Sequence, residues 1–362
     1  MSCRVRDSGT GTRDAMTESY ASPAPCAHHR PGLAPRTVPT PKISVDIPCS
    51  NAAPYIGAAL RSVLSQSDVE LEVIVVDDGS RDGSADLVRR EFPQVRLIEQ
   101  ANQGVAAARN AGINAASHDW IAFVDADDIW LAGKLAAQWQ QLQQQVQQQA
   151  QQHPGTRMSY TAWHVWPCAD AEPASALLEQ LRGSAADAEQ WAGASGWIYT
   201  DLLLDCVVWT STVLVHRSVF DEVGVFDAQL RIGEDYDLWL RASRVTRIDR
   251  VASPLALYRM HPQSITKRVP EINHKGLVIA RALTKWGYGA PDGSLARKAD
   301  VNRGLARSWS DFAGAQLMAG DATRARAAAL TALRVQPTHT LAWKVLIKSA
   351  WRSALPRSGA SG

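Results

Sequence analysis

The sequence predicts an α/β domain with a mostly parallel sheet between helices, followed by an α-helical C-terminal region. Between Ile43 and Trp130, short apolar segments alternate with segments of helical periodicity. The apolar segments lack in–out alternation, which is typical of strands that are buried on both faces. Beyond about residue 271, only helical patterns follow. Strand–helix alternation of this kind indicates a parallel sheet that helices cover on two sides.

The elements of the α/β part follow in order from the local pattern. Strands are predicted in ISVDIP, LEVIVVDDGS, VRLIE and WIAFVDADD, and helices in PYIGAALRSVLSQ, RDGSADLVRREF and QGVAAARNAGINAA. The helical segments carry apolar residues three and four positions apart, whereas the strand segments are continuously apolar. Further strands are predicted at 158–166, 207–216 and 254–261, and a helix begins near Glu234.

Four segments make up the predicted domain organisation. The N-terminal tail is rich in Pro, Ser, Thr and Arg and poor in large apolar residues, so we expect it to be disordered. The C-terminal helices have a tetratricopeptide-like cadence with breaks at Gly320-Asp321 and Gln336-Pro337. The glutamine-rich stretch after Trp130 is predicted to be a surface extension of a helix. The segments are a tail at 1–41, the α/β domain at 42–270, the helical region at 271–353 and a tail at 354–362.

Composition excludes several classes of protein. The formal net charge is only +2, which gives no electrostatic case for a nucleic-acid partner. The five cysteines include no CxxC pair, so a reducing compartment is expected rather than a disulfide framework or a zinc cluster. No window of about 18 apolar residues is found, and the basic N-terminus has no apolar segment behind it. We therefore expect a cytoplasmic protein.

Acidic residues follow two of the predicted strands. Asp77 and Asp78 end LEVIVVDD, and Asp125, Asp127 and Asp128 end WIAFVDADD. Ligands of open parallel sheets bind at the carboxyl ends of strands, where both clusters can share one crevice. Each cluster alone is also compatible with a solvated turn or a helix cap. Carboxylates held this close are tolerable when a hard cation neutralises them, so Mn²⁺ or Mg²⁺ is expected at Asp127.

Five segments, taken in order, resemble the inverting family-2 glycosyltransferases of the GT-A fold. They are ISVDIPCSNAAPYIGAALRSVLSQ, LEVIVVDDGSRDGSADLV, NQGVAAARNAGINAASHDWIAFVDADDIW, GVFDAQLRIGEDYDLWLRAS and YRMHPQSIT, which together span roughly residues 43–268. The resemblance implies transfer of a sugar from a nucleotide-diphosphate donor, with a divalent metal on the diphosphate. It also implies a saccharide or lipid-linked acceptor and a role in bacterial surface polysaccharide or glycoconjugate synthesis.

The same resemblance assigns roles to individual residues. Asp127 matches the metal ligand and Asp235 the catalytic base. For Asp235 the alternative is an acid favoured at a helix start; for Arg109 it is a surface ion pair, and for His261 a structural role. Asp237 and Arg241 are predicted to form a surface ion pair. The residues that match nucleotide-sugar contacts are Pro48, Asn51, Asp78, Gly104, Arg109, Asp125, Arg259 and His261.

Some features depart from that family or leave other functions open. Asp46 stands inside a buried strand, where the family usually has an aliphatic residue, and needs a partner or a raised pKa. The Gln-x-x-Arg-Trp motif of processive members is absent. A sugar-phosphate nucleotidyltransferase is one alternative, although PCSNAAPY is not a glycine- and arginine-rich phosphate loop. A non-catalytic sugar-nucleotide binding or scaffold protein is the other.

The last helical segment, WKVLIKSAWRSAL, has two interpretations. Lys344, Lys348 and Arg352 recur at every fourth position, next to tryptophan and aliphatic residues. This pattern is typical of a helix in peripheral contact with a membrane surface, here the inner face of the plasma membrane. It also fits the closing helix of a bundle, with its apolar side packed on the preceding unit.

Overall fold

The structure is a computed structural model. It describes residues 40–149, 155–167, 193–261 and 269–354, together with the isolated positions 172, 173, 177, 179 and 181. Residues 1–39 of the predicted N-terminal tail and residues 355–362 of the predicted C-terminal tail lie outside the described residues, as do Cys3, Cys26 and Cys168. Cys49 and Cys206 carry free thiols.

A single sheet of eight strands organises the α/β part. Its strand order is β3-β2-β1-β4-β7-β6-β8-β5, with parallel pairing of β1 with β2 and β4, β2 with β3, and β6 with β8. The other three pairings are antiparallel. The strands are β1 (Lys42–Cys49), β2 (Glu70–Asp78), β3 (Arg96–Gln100), β4 (Trp120–Phe123), β5 (Ile129–Trp130), β6 (Met158–Trp166), β7 (Leu214–His216) and β8 (Ile248–Arg259).

Helices cover this sheet and continue beyond it. The helices of the α/β part are α1 (Ile56–Leu64), α2 (Ser84–Glu91), α3 (Val105–Ala115), α4 (Lys134–Gln149), α5 (Tyr199–Leu202), a 3-10 turn (Thr210–Thr212), α6 (Ser218–Val223) and α7 (Glu234–Ala242). The C-terminal helices are α8 (His274–Trp286), α9 (Lys298–Met318), α10 (Ala322–Val335) and α11 (Thr340–Ala354). No helix in the described ranges combines the length and the apolar composition needed to cross a membrane.

Successive residues of the central strands enter two different cores. Ile43, Val45 and Ile47 of β1 pack against α1 residues such as Ile56 and Leu60 on one face of the sheet. The opposite core contains Phe123 and Trp239, and it also includes Val278, Ile279, Ala282, Val301 and Leu305 of α8 and α9. The first two C-terminal helices therefore share a core with the α/β part. The boundary at 270/271 stays a prediction.

Three predicted elements differ from the structure. The segment 207–216 is a strand only from Leu214, because its hydroxyl residues form a 3-10 turn over 210–212 instead. The last predicted strand begins at Ile248, six residues before the predicted start. The glutamine-rich helix is not merely a surface extension: Gln138 is fully buried, and its amide donates to the carbonyls of Ser159 and Thr212. The predicted breaks between the C-terminal helices are confirmed.

Candidate functional site

The carboxyl ends of β2 and β4 flank the end of β1 at one edge of the sheet, because both strands pair with β1 in parallel. The loops that follow these ends bring the two predicted acidic clusters to the same side of the molecule. A segment after β1 and the start of α7 complete this edge.

The loop after β4 holds two partly accessible carboxylates and one buried one. The side chains of Asp125 and Asp127 are each 30 % exposed. Asp128 is buried; it accepts a hydrogen bond from Ser211 Oγ at 2.6 Å and one from the Arg259 backbone N–H at 3.1 Å. Burial, followed by the neighbouring Asp127 and Asp125 charges, raises the pKa of Asp128 well above its usual range. Asp128 therefore anchors the loop, whereas Asp125 and Asp127 face the edge.

Arg259 and His261 support Asp127 from the end of β8. Arg259 Nε donates to the Asp127 carbonyl at 2.6 Å, and its guanidinium lies 4.9 Å and 4.3 Å from the ring centres of Tyr55 and Trp166. His261 Nε2 lies 3.0 Å from Asp127 Oδ2. Burial raises the pKa of Asp127, the Asp125 charge acts in the same direction, and the hydrogen bond from His261 opposes both. The predicted contact of Arg259 and His261 with a diphosphate stays a prediction.

Arg109 connects the loop after β4 to the start of α7. Its side chain is 5 % exposed, and its two terminal nitrogens lie 2.7 Å from Asp125 Oδ1 and 2.7 Å from Glu234 Oε1. This buried double ion pair replaces the predicted alternative of a surface ion pair. Burial, followed by the adjacent Asp235 charge, raises the pKa of Glu234 to about 7, while Arg109 acts in the opposite direction. Arg109 thus holds Asp125 and α7 together.

Asp235 lies in the first turn of α7, next to Glu234. The helix begins at Glu234, as predicted, after Gly233 in the left-handed conformation with φ 80°. Asp235 Oδ2 accepts a hydrogen bond from Thr210 Oγ1 at 3.0 Å. Further along the helix, Arg241 Nε donates to Asp237 Oδ2 at 2.8 Å. This pair is partly buried rather than on the surface, because Arg241 also donates to the carbonyls of Val223 and Val225.

The 3-10 turn Thr210–Thr212 joins the two halves of the site. Ser211 Oγ accepts from the Asp125 backbone N–H at 3.0 Å and donates to Asp128, while Thr210 donates to Asp235. Sequence reasoning missed both residues, because it placed them in a strand. The signal was present: three hydroxyl residues interrupt the apolar run VVWTSTVLVH, and such residues favour turns stabilised by their side chains.

The loop after β2 is built differently. The buried Asp78 carboxylate accepts hydrogen bonds from the Gln100 amide, the Gln103 N–H and the Gly104 N–H at 2.8 to 2.9 Å. It therefore shapes the turn that leads into α3, where Gly104 adopts φ 94°. Asp77 Oδ1 accepts from the Ser80 N–H at 2.9 Å. The predicted contact of Asp78 with a nucleotide base stays a prediction.

Pro48 and Asn51 lie on the neighbouring connection between β1 and α1. Pro48 is buried in β1 opposite Val76. Asn51 is exposed, has φ 53°, and its side-chain oxygen accepts from the Arg81 N–H at 2.9 Å. Its own N–H donates to Ser80 Oγ at 2.9 Å. The loops after β1 and β2 are thus fixed to each other, while the Asn51 side chain stays at the surface.

Asp46 packs behind this edge, inside β1. Both of its carboxylate oxygens are buried without a hydrogen-bond partner among the described residues. They lie directly against Gly112 of α3, where an added Cβ would be only 2.1 Å from Asp46 Oδ1. Burial raises the pKa of Asp46 well above its usual range. Of the two predicted possibilities, a partner or a raised pKa, the structure therefore supports the raised pKa.

The donor set fits a divalent cation that takes most of its ligands from a substrate. The described residues contain no cluster of three or more Asp, Glu, His or Cys side chains suited to a metal. Asp125 and Asp127 offer partly accessible carboxylates, and Mg²⁺ or Mn²⁺ commonly uses one or two such groups with water and phosphate oxygens. A site of this kind is completed by its ligand rather than by the protein alone.

Residues 44–166 match the model of the family described as Glycosyl transferase family 2. Over these residues the chain is similar to the family-2 glycosyltransferases, and its fold is of the GT-A type. A Bacillus subtilis relative described as the uncharacterized glycosyltransferase EpsJ is 28 % identical over 235 residues, which cover 63 % of each chain. The chain spans only about 30 % of the length of the first curated relatives that it matches.

Two solved structures share the fold of this chain. Staphylococcus aureus TarS 1-349 in complex with UDP-GlcNAc is 15 % identical with a TM-score of 0.52, and the match covers 86 % of this chain and 92 % of that one. The mannosyltransferase PcManGT from Pyrobaculum calidifontis, in complex with GDP-Man and Mn²⁺, is 20 % identical with a TM-score of 0.50. That match covers 89 % of both chains.

Proposed function

We propose that this glycosyltransferase moves a sugar from a nucleotide-diphosphate donor to an acceptor hydroxyl, with inversion at the anomeric carbon and with a divalent metal. The observation that best supports this reaction is that side-chain contacts connect three carboxylates, those of Asp125, Asp127 and Asp235, at one edge of the sheet. Arg109 ties Asp125 to the start of α7, and the 210–212 turn ties the loop of Asp125 and Asp127 to Asp235. A fixed arrangement of acids from distant segments is what such a reaction requires.

The donor side of the proposal uses the loops after β1, β2 and β4. The nucleotide would lie against Pro48, Asn51 and the turn that Asp78 and Gly104 form, with Asp125 on the ribose side. Arg109 would act there through Asp125. The diphosphate would lie towards His261 and Arg259. A nucleotide-sugar donor is supported by the UDP-GlcNAc and GDP-Man that the two structural neighbours hold.

Asp127 would hold Mn²⁺ or Mg²⁺ at the diphosphate. The Mn²⁺ complex of PcManGT supports this part of the proposal. When bound, the cation supplies Lewis-acid stabilisation of the negative charge on the departing diphosphate. His261 positions the Asp127 carboxylate through the 3.0 Å contact at Nε2, and Arg259 fixes its backbone. Burial raises the pKa of Asp127, and a bound cation would favour the charged form of this carboxylate.

Asp235 would act as the general base. It would accept the proton of the acceptor hydroxyl, whose oxygen forms a bond to the anomeric carbon. The bond from that carbon to the diphosphate oxygen breaks with both electrons, and the nucleoside diphosphate leaves. Attack from the face opposite the leaving group inverts the anomeric configuration. Thr210 orients the Asp235 carboxylate for this task.

The acceptor is proposed to be a saccharide or a lipid-linked saccharide in the synthesis of a bacterial surface polysaccharide or glycoconjugate. The protein is proposed to work in the cytoplasm, with peripheral contact to the inner face of the plasma membrane.

A donor-hydrolysis screen tests the proposed reaction class. The purified full-length chain is incubated with Mn²⁺ and a panel of UDP-, GDP-, dTDP- and ADP-linked sugars. Release of a nucleoside diphosphate and free sugar from one donor supports glycosyl transfer. Release of pyrophosphate from a nucleoside triphosphate and a sugar 1-phosphate would instead indicate a nucleotidyltransferase. Tight donor binding without turnover, with or without saccharide acceptors, would indicate a binding protein.

The proposed base has a sharper test. Asp235→Asn keeps the shape of the side chain but removes its basicity, so transfer should slow by roughly 10²-fold or more while donor binding persists. Initial rates and calorimetric donor affinity are measured side by side. Asp237→Asn, two positions along the same helix, is the matched control and should retain the wild-type rate. Wild-type transfer by Asp235→Asn would exclude the base assignment.

A further inference from the structure

The C-terminal segment has a charge pattern unlike that of the rest of the chain. After Asp321 the sequence contains no further Asp or Glu. It contains seven cations, whereas the whole chain has a net charge of only +2. The remainder of the protein is therefore net acidic. The cations are Arg324, Arg326, Arg334, Lys344, Lys348, Arg352 and Arg357.

Two helices of this segment, α10 and α11, pack against each other through small side chains. Ala325, Ala328 and Ala329 of α10 share a buried cluster with Val345 of α11. Nearer the turn between the helices, Ala332 and Leu333 pack with Ala342. The inner face of α11 therefore consists of Ala342, Val345 and Ser349, all buried, with Leu346 partly buried beside them.

The larger apolar residues of α11 lie outside this packed face. Leu341, Trp343 and Ile347 are 41 %, 48 % and 56 % exposed. Trp343 is held in place, because its indole N–H donates to the Pro337 carbonyl at 2.8 Å. The closing-helix interpretation expected the apolar side of α11 to be packed on the preceding unit. It accounts for Ala342 and Val345 but leaves these three side chains unexplained.

The exposed face of α11 carries two parallel stripes. Trp343 and Ile347 are four residues apart and form an apolar stripe along the helix. Lys344 and Lys348 form the adjacent cationic stripe, and both lysines are exposed. An apolar stripe beside a cationic one, on a helix without acids, is the pattern of helices that lie in a lipid–water interface.

We propose that the α10–α11 hairpin docks on an anionic lipid bilayer through the face that Leu341, Trp343, Lys344, Ile347 and Lys348 form. Trp343 and Ile347 enter the headgroup region, and the two lysines contact anionic headgroups. Charge complementarity favours an anionic surface. The exposed apolar stripe favours a bilayer over a nucleic acid, whose backbone offers only charged and polar groups to such a face. This inference rests on the membrane contact in the proposed function and assigns it a surface; it does not depend on the proposed reaction.

Co-sedimentation with vesicles tests the docking. The full chain is mixed with vesicles of phosphatidylcholine alone or of phosphatidylcholine with phosphatidylglycerol. We expect the chain to pellet with the anionic vesicles at low salt, to be released as salt screens the lysines, and to stay in solution with the neutral vesicles. Failure to pellet with anionic vesicles at low salt, or equal pelleting with both types, would overturn the proposal.

Paired variants separate the two stripes from general charge effects. Lys344→Gln with Lys348→Gln should lower the partition coefficient on anionic vesicles by roughly 30-fold, from about 1 kcal/mol per lysine. Trp343→Ser with Ile347→Ser should weaken binding to anionic vesicles. The binding that remains should be electrostatic and should be abolished fully by salt. The control, Arg90→Gln with Lys298→Gln, changes the charge equally at exposed sites of the chain outside the hairpin and should bind like wild type.

Two further outcomes complete the test. Thermal unfolding of the lysine variant should match wild type, because Lys344 and Lys348 are exposed outside the packed face of α11, whereas Trp343→Ser also loses the hydrogen bond to the Pro337 carbonyl. Unchanged partitioning of the lysine variant would exclude the proposed surface. Tighter binding of the chain to duplex DNA or RNA than to anionic vesicles, lost in the lysine variant, would assign this face to nucleic acid instead.

Discussion

The carboxylates at the end of β2 and those that follow β4 lie at the same edge of the sheet, yet they have different partners. Asp78 is buried and accepts three hydrogen bonds from residues 100–104, at the end of β3 and in the turn that leads into α3. Asp125 and Asp127 are partly accessible, and each binds one cationic or imidazole side chain from a distant segment. Asp78 satisfies its charge within the protein, whereas Asp125 and Asp127 leave part of their charge available to a ligand.

This difference shows that an acidic strand end has two uses. A carboxylate that accepts several N–H groups from a nearby loop stabilises that loop. A carboxylate held at the edge by Arg109 or His261 is positioned but not fully neutralised. Substitutions in the first cluster should therefore act on stability, and substitutions in the second should act on function.

The largest effect is expected at Asp127. Asp127→Ala should abolish sugar transfer and weaken Mn²⁺-dependent binding of a nucleoside diphosphate, because the proposed metal ligand is lost. The free energy of unfolding of the Asp127→Ala variant, measured in urea, should not fall, because burial already disfavours the charged form of the Asp127 side chain. Isothermal calorimetry with and without Mn²⁺ measures the binding. Unchanged Mn²⁺-dependent binding would show that the metal assignment is wrong and would remove the contrast between the clusters.

The opposite behaviour is expected at Asp78. Asp78→Asn places an amide where two backbone N–H groups need an acceptor, so the free energy of unfolding should fall by about 1–3 kcal/mol. Urea titration followed by circular dichroism measures this change. The exposed Asp86 on α2 supplies the control, because Asp86→Asn should leave the midpoint nearly unchanged. Equal midpoints for the two variants would mean that the buried carboxylate does not stabilise its loop.

A smaller, pH-dependent effect is expected at Asp46, which has neither a loop partner nor access to a ligand. Its raised pKa means that the folded protein keeps a proton that the unfolded chain releases near pH 3.9. The contribution of Asp46 to stability should therefore decrease as pH rises from the unfolded pKa through the folded one. Asp46→Asn removes this dependence and should be slightly more stable than wild type at neutral pH.

The measurement for Asp46 is a series of urea unfolding curves from acidic to neutral pH. The difference in unfolding free energy between Asp46→Asn and wild type should grow with rising pH. A constant difference across the series would show that this carboxyl does not change its proton occupancy on unfolding. It would also mean that Asp46 behaves like the hydrogen-bonded Asp78 at the end of β2.

The sequence determined the order and type of most elements, because apolar periodicity and turn residues act locally. The strand–helix alternation up to Trp130, the start of α7 at Glu234 and the breaks between the C-terminal helices follow from such signals. The acidic clusters were also visible, together with the family resemblance that the comparisons support. These features depend on residues that are close together in sequence, so one amino-acid sequence is enough to predict them.

Only the tertiary structure decided which side chains meet. Arg109 is 125 residues from Glu234, and Ser211 is 83 residues from Asp128. In the 210–212 turn, the hydroxyls of Thr210 and Ser211 bind carboxylates from α7 and from the loop after β4, and no local propensity encodes those partners. The exposure of Trp343 and Ile347 was likewise undetermined, since the same periodicity fits a packed helix or an open one. Burial and hydrogen-bond partners are set by long-range packing, which sequence periodicity does not contain.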